Sequence, residues 1–324
     1  MKKIKFLVVF LAIYSCNGIT ENKNAAVTII DSVKPVTETS LIVLGTLQDA
    51  GSPQIGCTKD CCKYLFLHPD NNRRVVSLGL VDPANQKKYI FEATPDFTQQ
   101  AKALKKYAAF GHIETPDGIF ITHAHIGHYT GLMYLGKEAM NADSIPVYTM
   151  PRMKTYLAEN GPWSQLVKNK NIAVRRINDQ QEIQLTNNIK VIPFTVPHRD
   201  EFSETVGYRI IGPNKKLLFI PDIDKWEKWD TNITDAIAKV DYAFIDGTFF
   251  DAEEINNRDI SSIPHPFIIE SMNRFKGMAA TEKKKIYFIH FNHTNPVINK
   301  SSKQYLQVIR NGFNIAAINT VITL

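Results

Sequence analysis

Nine histidines serve a chain of 324 residues, and three of them, His123, His125 and His128, fall within six positions of "ITHAHIGHYTGL" (121–132). Imidazole is the commonest protein ligand for zinc-like ions. A His-x-His pair at a strand end aims two rings the same way, because alternate residues share a face. His128, opening the next helix, reaches the same space from another angle. Three unrelated polar loop residues are the plainer alternative. The cluster follows the apolar run "GIFIT" directly, and a metal site accounts for it better.

Ligand-type side chains end other apolar runs too. "VIPFTVPHRD" places His198 after one and "KKLLFIPDID" places Asp222 and Asp224 after a second. "KKIYFIHFNHTNP" places His290, Asn292 and His293 after a third. Singly, each reads as a turn-former or a capped end. Together they bring four or more ligands to one sheet edge. Three neutral imidazoles with an open position are the set that lowers the pKa of a zinc-bound water toward neutrality. Hydrolysis by a zinc-activated water is the chemistry such a set allows. Asn292 and its neighbours are candidates to orient His290. His265, between two prolines in "IPHPF", is a further candidate for the pocket or a surface residue. Asp246 and Thr248 in "IDGTFF" line the pocket or form a polar turn.

Short β-rich runs recur along the chain, among them "SLIVLGT", "RVVSLGLVD", "KKYIFEAT", "IPVYTM", "VGYRIIG" and "DYAFIDGTF". "TPDFTQQAKALKKYAAF" predicts a helix capped by Thr94 or Asp96, with Phe97, Ala101, Leu104 and Ala108 on one face. "YTGLMYLGKEAM" and "RMKTYLAEN" predict further helices, as do residues 230–239, 265–276 and 301–311. Strands cluster in each half, no repeat of fixed period recurs, and no Pro/Gly-rich linker divides residues 40–324. The expected fold is α+β: an αββα sandwich of two mixed β-sheets face to face, with helices outside.

Composition is ordinary for a globular protein, 44% hydrophobic and 22% charged. The formal charge of +6 includes Lys2, Lys3 and Lys5 near the N-terminus, and +3 remains without them. No basic block stands out, so a small-molecule substrate is expected and nucleic acid is not. "MKKIK", the apolar "FLVVFLAI" and "IYSC" read as an export signal over residues 1–16. Cys16 is the expected lipidation site, against cleavage without lipidation. Residues 17–39 suit a flexible tether, and 40–324 form the folded domain. The protein is then expected on a bacterial membrane by its lipid anchor, on the periplasmic or cell-surface side. "GCTKDCC" holds Cys57, Cys61 and Cys62. It reads as a disulfide plus a spare thiol, or as three thiolates of a zinc site needing one outside ligand.

The order of the His-x-His-x-x-His loop, a later His, a later Asp and a final His resembles the metallo-β-lactamase fold superfamily over residues 40–324. Within it, "LGTLQDAGSPQIGC", "IDGTFFDAEEI" and "IHFNHTNP" look similar to the PQQ-biosynthesis protein B (PqqB-like) group. The resemblance implies a first ion on His123, His125 and His198, a second on His128 and His290, and Asp222 between them, where it would hold the attacking water and accept its proton. His293 and Asp224 are extra candidates. The superfamily loop reads His-x-His-x-Asp-His, and Gly127 stands where that Asp belongs. A tight zinc and a weakened second site are therefore expected, with Mn2+ or Fe as alternatives. A non-catalytic metal- or ligand-binding lipoprotein, or a redox-metal oxidoreductase tied to cofactor maturation, are the competing functions.

Overall fold

In the computed structural model, which describes residues 33–256 and 258–324, the chain builds two seven-stranded sheets. Residues 1–16 with Cys16, and the tether up to residue 32, lie outside the described residues. From edge to edge the first sheet runs Val321–Thr323, Ser40–Gly45, Ser77–Asp82, Lys87–Phe91, Gly118–Phe120, Ile145–Thr149 and Ile172–Arg176. The second runs Asn314–Ile315, Ile286–Ile289, Tyr242–Asp246, Lys216–Ile220, Val206–Ile211, Ile189–Thr195 and Ile183–Thr186. Each is antiparallel in one half and parallel in the other.

Inward-facing apolar residues of both sheets share one core. Phe91 stacks on Phe120 of its own sheet at 4.9 Å and meets Tyr208 and Phe219 of the other edge-on. Such pairs add to the burial of large apolar surfaces. Helices cover the outer faces, which is why central strands read as continuous apolar runs. All six residues of Ser77–Asp82 are buried. The helix Phe97–Tyr107 packs so closely there that a Cβ on Gly79 would meet Leu104 at 2.5 Å. The αββα sandwich expected from the sequence is the fold observed.

Two local elements differ from expectation. Asp96 begins the helix Phe97–Tyr107, but its carboxylate makes no cap and instead accepts the Val75 N–H at 2.8 Å. Beyond the histidine loop, a single helical turn, Ile126–Tyr129, passes into a 3₁₀ segment, Thr130–Leu135. Gly131 donates its N–H to the Ala93 carbonyl, and a Cβ on it would lie 2.2 Å from the Thr94 carbonyl oxygen. This close docking takes the backbone out of a regular helix.

The loops after Gly118–Phe120, Lys216–Ile220, Tyr242–Asp246 and Ile286–Ile289 converge at one end of the sandwich. Two bonds tie the first of these loops to the opposite sheet: Val206 donates its N–H to the Thr122 carbonyl at 3.1 Å, and the buried Tyr208 hydroxyl donates to the Ile121 carbonyl at 2.6 Å. Tyr208→Phe is expected to destabilise the fold by about 1–2 kcal/mol, because that carbonyl loses its buried partner. Urea unfolding of the two proteins measures it, and coincident curves would refute the assignment.

Candidate metal centre

His123, His125, His198 and Asp222 each offer one ligand atom, and these atoms lie within 4.8 Å of one another. His198 Nε2 is 3.2 Å and His123 Nε2 3.4 Å from Asp222 Oδ2. His125 turns Nδ1 inward, 3.3 Å from His198 Nε2. A second set, Asp49, His128, Asp222 and His290, meets the same test. His128 Nε2 lies 2.8 Å and His290 Nε2 3.3 Å from Asp49 Oδ1. Asp222 belongs to both sets, so two groups of ligands share one buried carboxylate.

Asp49 adds to the second set a carboxylate that the sequence motif lacks at position 127. A Cβ placed on Gly127 would lie 2.3 Å from Asp49 Cα and 2.6 Å from its Cβ. The backbone at Asp49 therefore occupies the space a side chain at 127 would need, and Asp49 presents its own carboxylate to His128. Gly127 is the residue that admits this turn. Thr46 and Gln48 hold it there through backbone bonds with Phe291, one residue past His290.

Carboxylates and hydroxyls brace the outer nitrogens of the histidines, the arrangement that fixes tautomer and ring orientation at metal sites. Thr122 Oγ1 is 2.9 Å from His123 Nδ1, and Thr248 Oγ1 is 2.8 Å from His290 Nδ1. Glu201 lies 3.4 Å from His125 Nε2. Glu92, wholly buried, lies 3.5 Å from His128 Nδ1. His265 Nδ1 sits 2.9 Å from Asp246 and 3.3 Å from Asp222 Oδ1. Glu92 and His290 both adopt left-handed backbone angles, φ +76° and +69°. Such strain in non-glycine residues costs of order 1–3 kcal/mol and gathers at functional sites.

Electrostatics follow from these contacts. Burial opposes charge on Asp222, but His198 and His265 hold its carboxyl well below the usual carboxylate range. Burial likewise opposes Asp49, and His128 and His290 prevail. Burial and the charge on His128 push His123 well down. His128 moves the other way: burial opposes its charge, but Asp49 and Glu92 raise it well above the usual imidazole value. His265 is pushed up to about 9 because Asp246 and Asp222 outweigh its burial.

The donor set suits a divalent cation. His123 Nε2 and Asp222 Oδ1 are buried without a hydrogen-bond partner among the described residues, as are both Glu92 oxygens. An unpaired buried polar atom costs about 1–3 kcal/mol, and a cation where His123 Nε2 and Asp222 Oδ2 converge removes that cost at His123; the Glu92 oxygens lie outside the ligand groups. Nitrogen and carboxylate donors match zinc, manganese or iron.

Three sequence candidates fall elsewhere. Asp224 pairs with Lys228 at 2.7 Å. Asn292 does not brace His290, a place Thr248 takes; its carbonyl oxygen lies 3.0 Å from His293 Nδ1. His293 joins Cys57, Cys61 and Cys62 in a separate group. There the Cys57 and Cys61 sulfurs are 3.8 Å apart, and no disulfide joins them. Burial and the neighbouring thiols push Cys61 up to about 12. Asp49, Glu92 and Glu201 were missed. The first two are carboxylates just after an apolar run, the same signal that marked Asp222.

The Beta-lactamase superfamily domain matches residues 87–291. The chain belongs to this superfamily. It is 22% identical over 301 residues to coenzyme PQQ synthesis protein B of Methylorubrum extorquens (strain PA1), covering 85% of this chain and 97% of that one. The fold is shared with zinc-bound PqqB from Methylobacterium extorquens at a TM-score of 0.72 and 19% identity, over 88% of this chain and all of that one. It is also shared with a diphosphatase of the PhnP family at 0.63 and 20%, over 88% and 96%. The metallo-β-lactamase fold and PqqB-like character expected from the motifs are thus both met.

Gly127→Ala is expected to displace Asp49 and cost the protein one bound ion per chain; elemental analysis of wild type and variant measures it, and unchanged stoichiometry would contradict the packing argument. Near the cysteine group, burial pushes Glu254 up to about 7 against hydrogen bonds from Thr294, Phe250 N–H and Asn292. Because the folded value lies above the unfolded one, this group's contribution is fully present below about pH 4.5 and is lost as pH rises through 7. Glu254→Gln should therefore gain on the order of 1–2 kcal/mol over wild type between pH 5 and 8. Urea midpoints at both pH values test this, and a constant difference between the proteins would refute it.

Proposed function

We propose that the protein is a metal-dependent hydrolase whose centre holds two ions, acting on an ester, amide or phosphodiester bond of a small molecule. The observation that carries this reading is the sharing of buried Asp222 between two sets of imidazole and carboxylate ligands. His123, His125 and His198 would hold the first ion, and Asp49, His128 and His290 the second, with Asp222 between. Bound there, zinc or a similar ion supplies Lewis acidity that polarises the scissile group and acidifies water. The chain's own residues set the geometry. Asp222 faces both ligand sets, where it can orient the attacking water and accept its proton. His265, held by Asp246, brings its ring nitrogen to 3.3 Å from the other Asp222 oxygen. Glu201 lies against the outer nitrogen of His125, and Glu92 places its carboxylate 3.5 Å from the outer nitrogen of His128.

The reading extends to the rest of the chain. Cys57, Cys61, Cys62 and His293 supply the three sulfurs and one nitrogen of a tetrahedral structural zinc site. Residues 1–16 support export with lipid anchoring at Cys16, on the outer side of a bacterial membrane.

The test combines elemental analysis of protein purified without added metal with a panel of ester, lactam and phosphodiester substrates. Wild type is expected to carry two ions at this centre and to hydrolyse a member of the panel. His123→Ala with His125→Ala should lose the first ion and lower the rate at least about a hundredfold. An inactive wild type, or a double variant with full metal content, would contradict the reading. Iron in place of zinc would redirect it to redox chemistry.

A further inference from the structure

On the outer face of the second sheet lies a cleft of about 390 Å³ that none of the candidate metal ligands lines. Phe194, Arg209 and Leu218 line it from the sheet, and Trp229 lines it from the segment outside. Tyr208 and Ile210 face the core between the sheets, so Arg209 between them points the other way, into the cleft. Its neighbours across the two adjoining strands are Ile192 and Leu218. The Phe194 ring lies over Gly207, where a Cβ would come within 2.5 Å of the ring. Trp229 stacks on Phe194 at 5.6 Å and donates its indole N–H to the Thr195 carbonyl at 3.0 Å. The side chains nearest to Arg209 on this face are therefore apolar and offer it no acceptor.

Arg209 is half-buried, and among the described residues no hydrogen bond or ion pair engages its guanidinium. A cation drawn out of water without an acceptor is costly. The other charges of the lining do not relieve it. Lys228 is paired with Asp224 at 2.7 Å. Asp179 turns one oxygen to the Thr195 N–H at 2.7 Å, and Asp230 forms no ion pair. All three of these side chains are exposed, where water screens them, and neither carboxylate pairs with Arg209. The one half-buried charge of the cleft is thus positive and unmatched. A guanidinium presents a planar fork of donors that fits the paired oxygens of a carboxylate or a phosphate.

We propose that this cleft binds a small organic oxyanion, a carboxylate or a phosphate monoester, through the guanidinium of Arg209. The site stands apart from the hydrolase reading, and with no metal ligand in its lining it holds its ligand without cleaving it. Titration of the purified protein with acetate and with methyl phosphate tests it, at an ionic strength held constant with chloride. The readout is the indole N–H resonance of Trp229, assigned by its loss in Trp229→Phe. At least one probe should move that resonance along a saturating curve, and which one does so tells carboxylate from phosphate. Arg209→Gln should weaken binding about tenfold or more, the scale of one hydrogen bond to a charged group. Arg209→Lys keeps the charge but loses the fork, and should weaken binding to a lesser degree. A response to both probes that never saturates would overturn the proposal. So would an unchanged curve in either variant, which would place the anion elsewhere, at the metal centre for instance.

Discussion

A single buried carboxylate, Asp222, governs the arrangement of this site. Removing a charged carboxylate from water is costly unless opposite charge and hydrogen-bond donors replace the solvent. Here the replacement is a ring of imidazoles: His123 and His198 on one side, His128 at 3.9 Å on another, and His265 behind. These side chains come from separate loops of both sheets. The apolar core brings the strand ends together, and the polar cluster gives those ends a common target. The site and the sandwich are in this sense one structure.

The second ligand set shows how a motif can be kept in space while lost in sequence. The carboxylate absent from position 127 arrives from Asp49, close to eighty residues earlier in the chain. It reaches the site because Thr46 and Gln48 pair with Phe291 and because Gly127 leaves room. Strained backbone at Glu92 and His290 lies on the same side. Both residues touch the second set, Glu92 through His128 and His290 as a member. The segments Asp49, Glu92, His128 and His290 constrain one another, so a change at one displaces the ligands on the rest.

Much of this was legible in the sequence. The apolar runs gave the strands, since both faces of a sheet buried under helices leave an unbroken hydrophobic signature. The histidines that end those runs stand out because imidazole is scarce and strand ends are its natural platform. Asp222 was legible for the same reason. Asp49 and Glu92 obey that rule as well, but acidic residues after strands are common, and only contact with His128 separates these two from ordinary turns. Glu201 lies on a loop whose position depends on Arg152, a bond between distant segments that no local pattern records. His293 illustrates the converse. Its spacing from His290 placed it near the second ion, yet the positive φ at His290 turns the chain and sends His293 to the cysteines.

The account is tested most directly by anomalous diffraction at the metal absorption edge from crystals of the purified protein. It predicts two peaks flanking the Asp222 carboxylate, one among His123, His125 and His198, the other among Asp49, His128 and His290. A lone peak at this centre, or two peaks with Asp49 turned away from both, would contradict it.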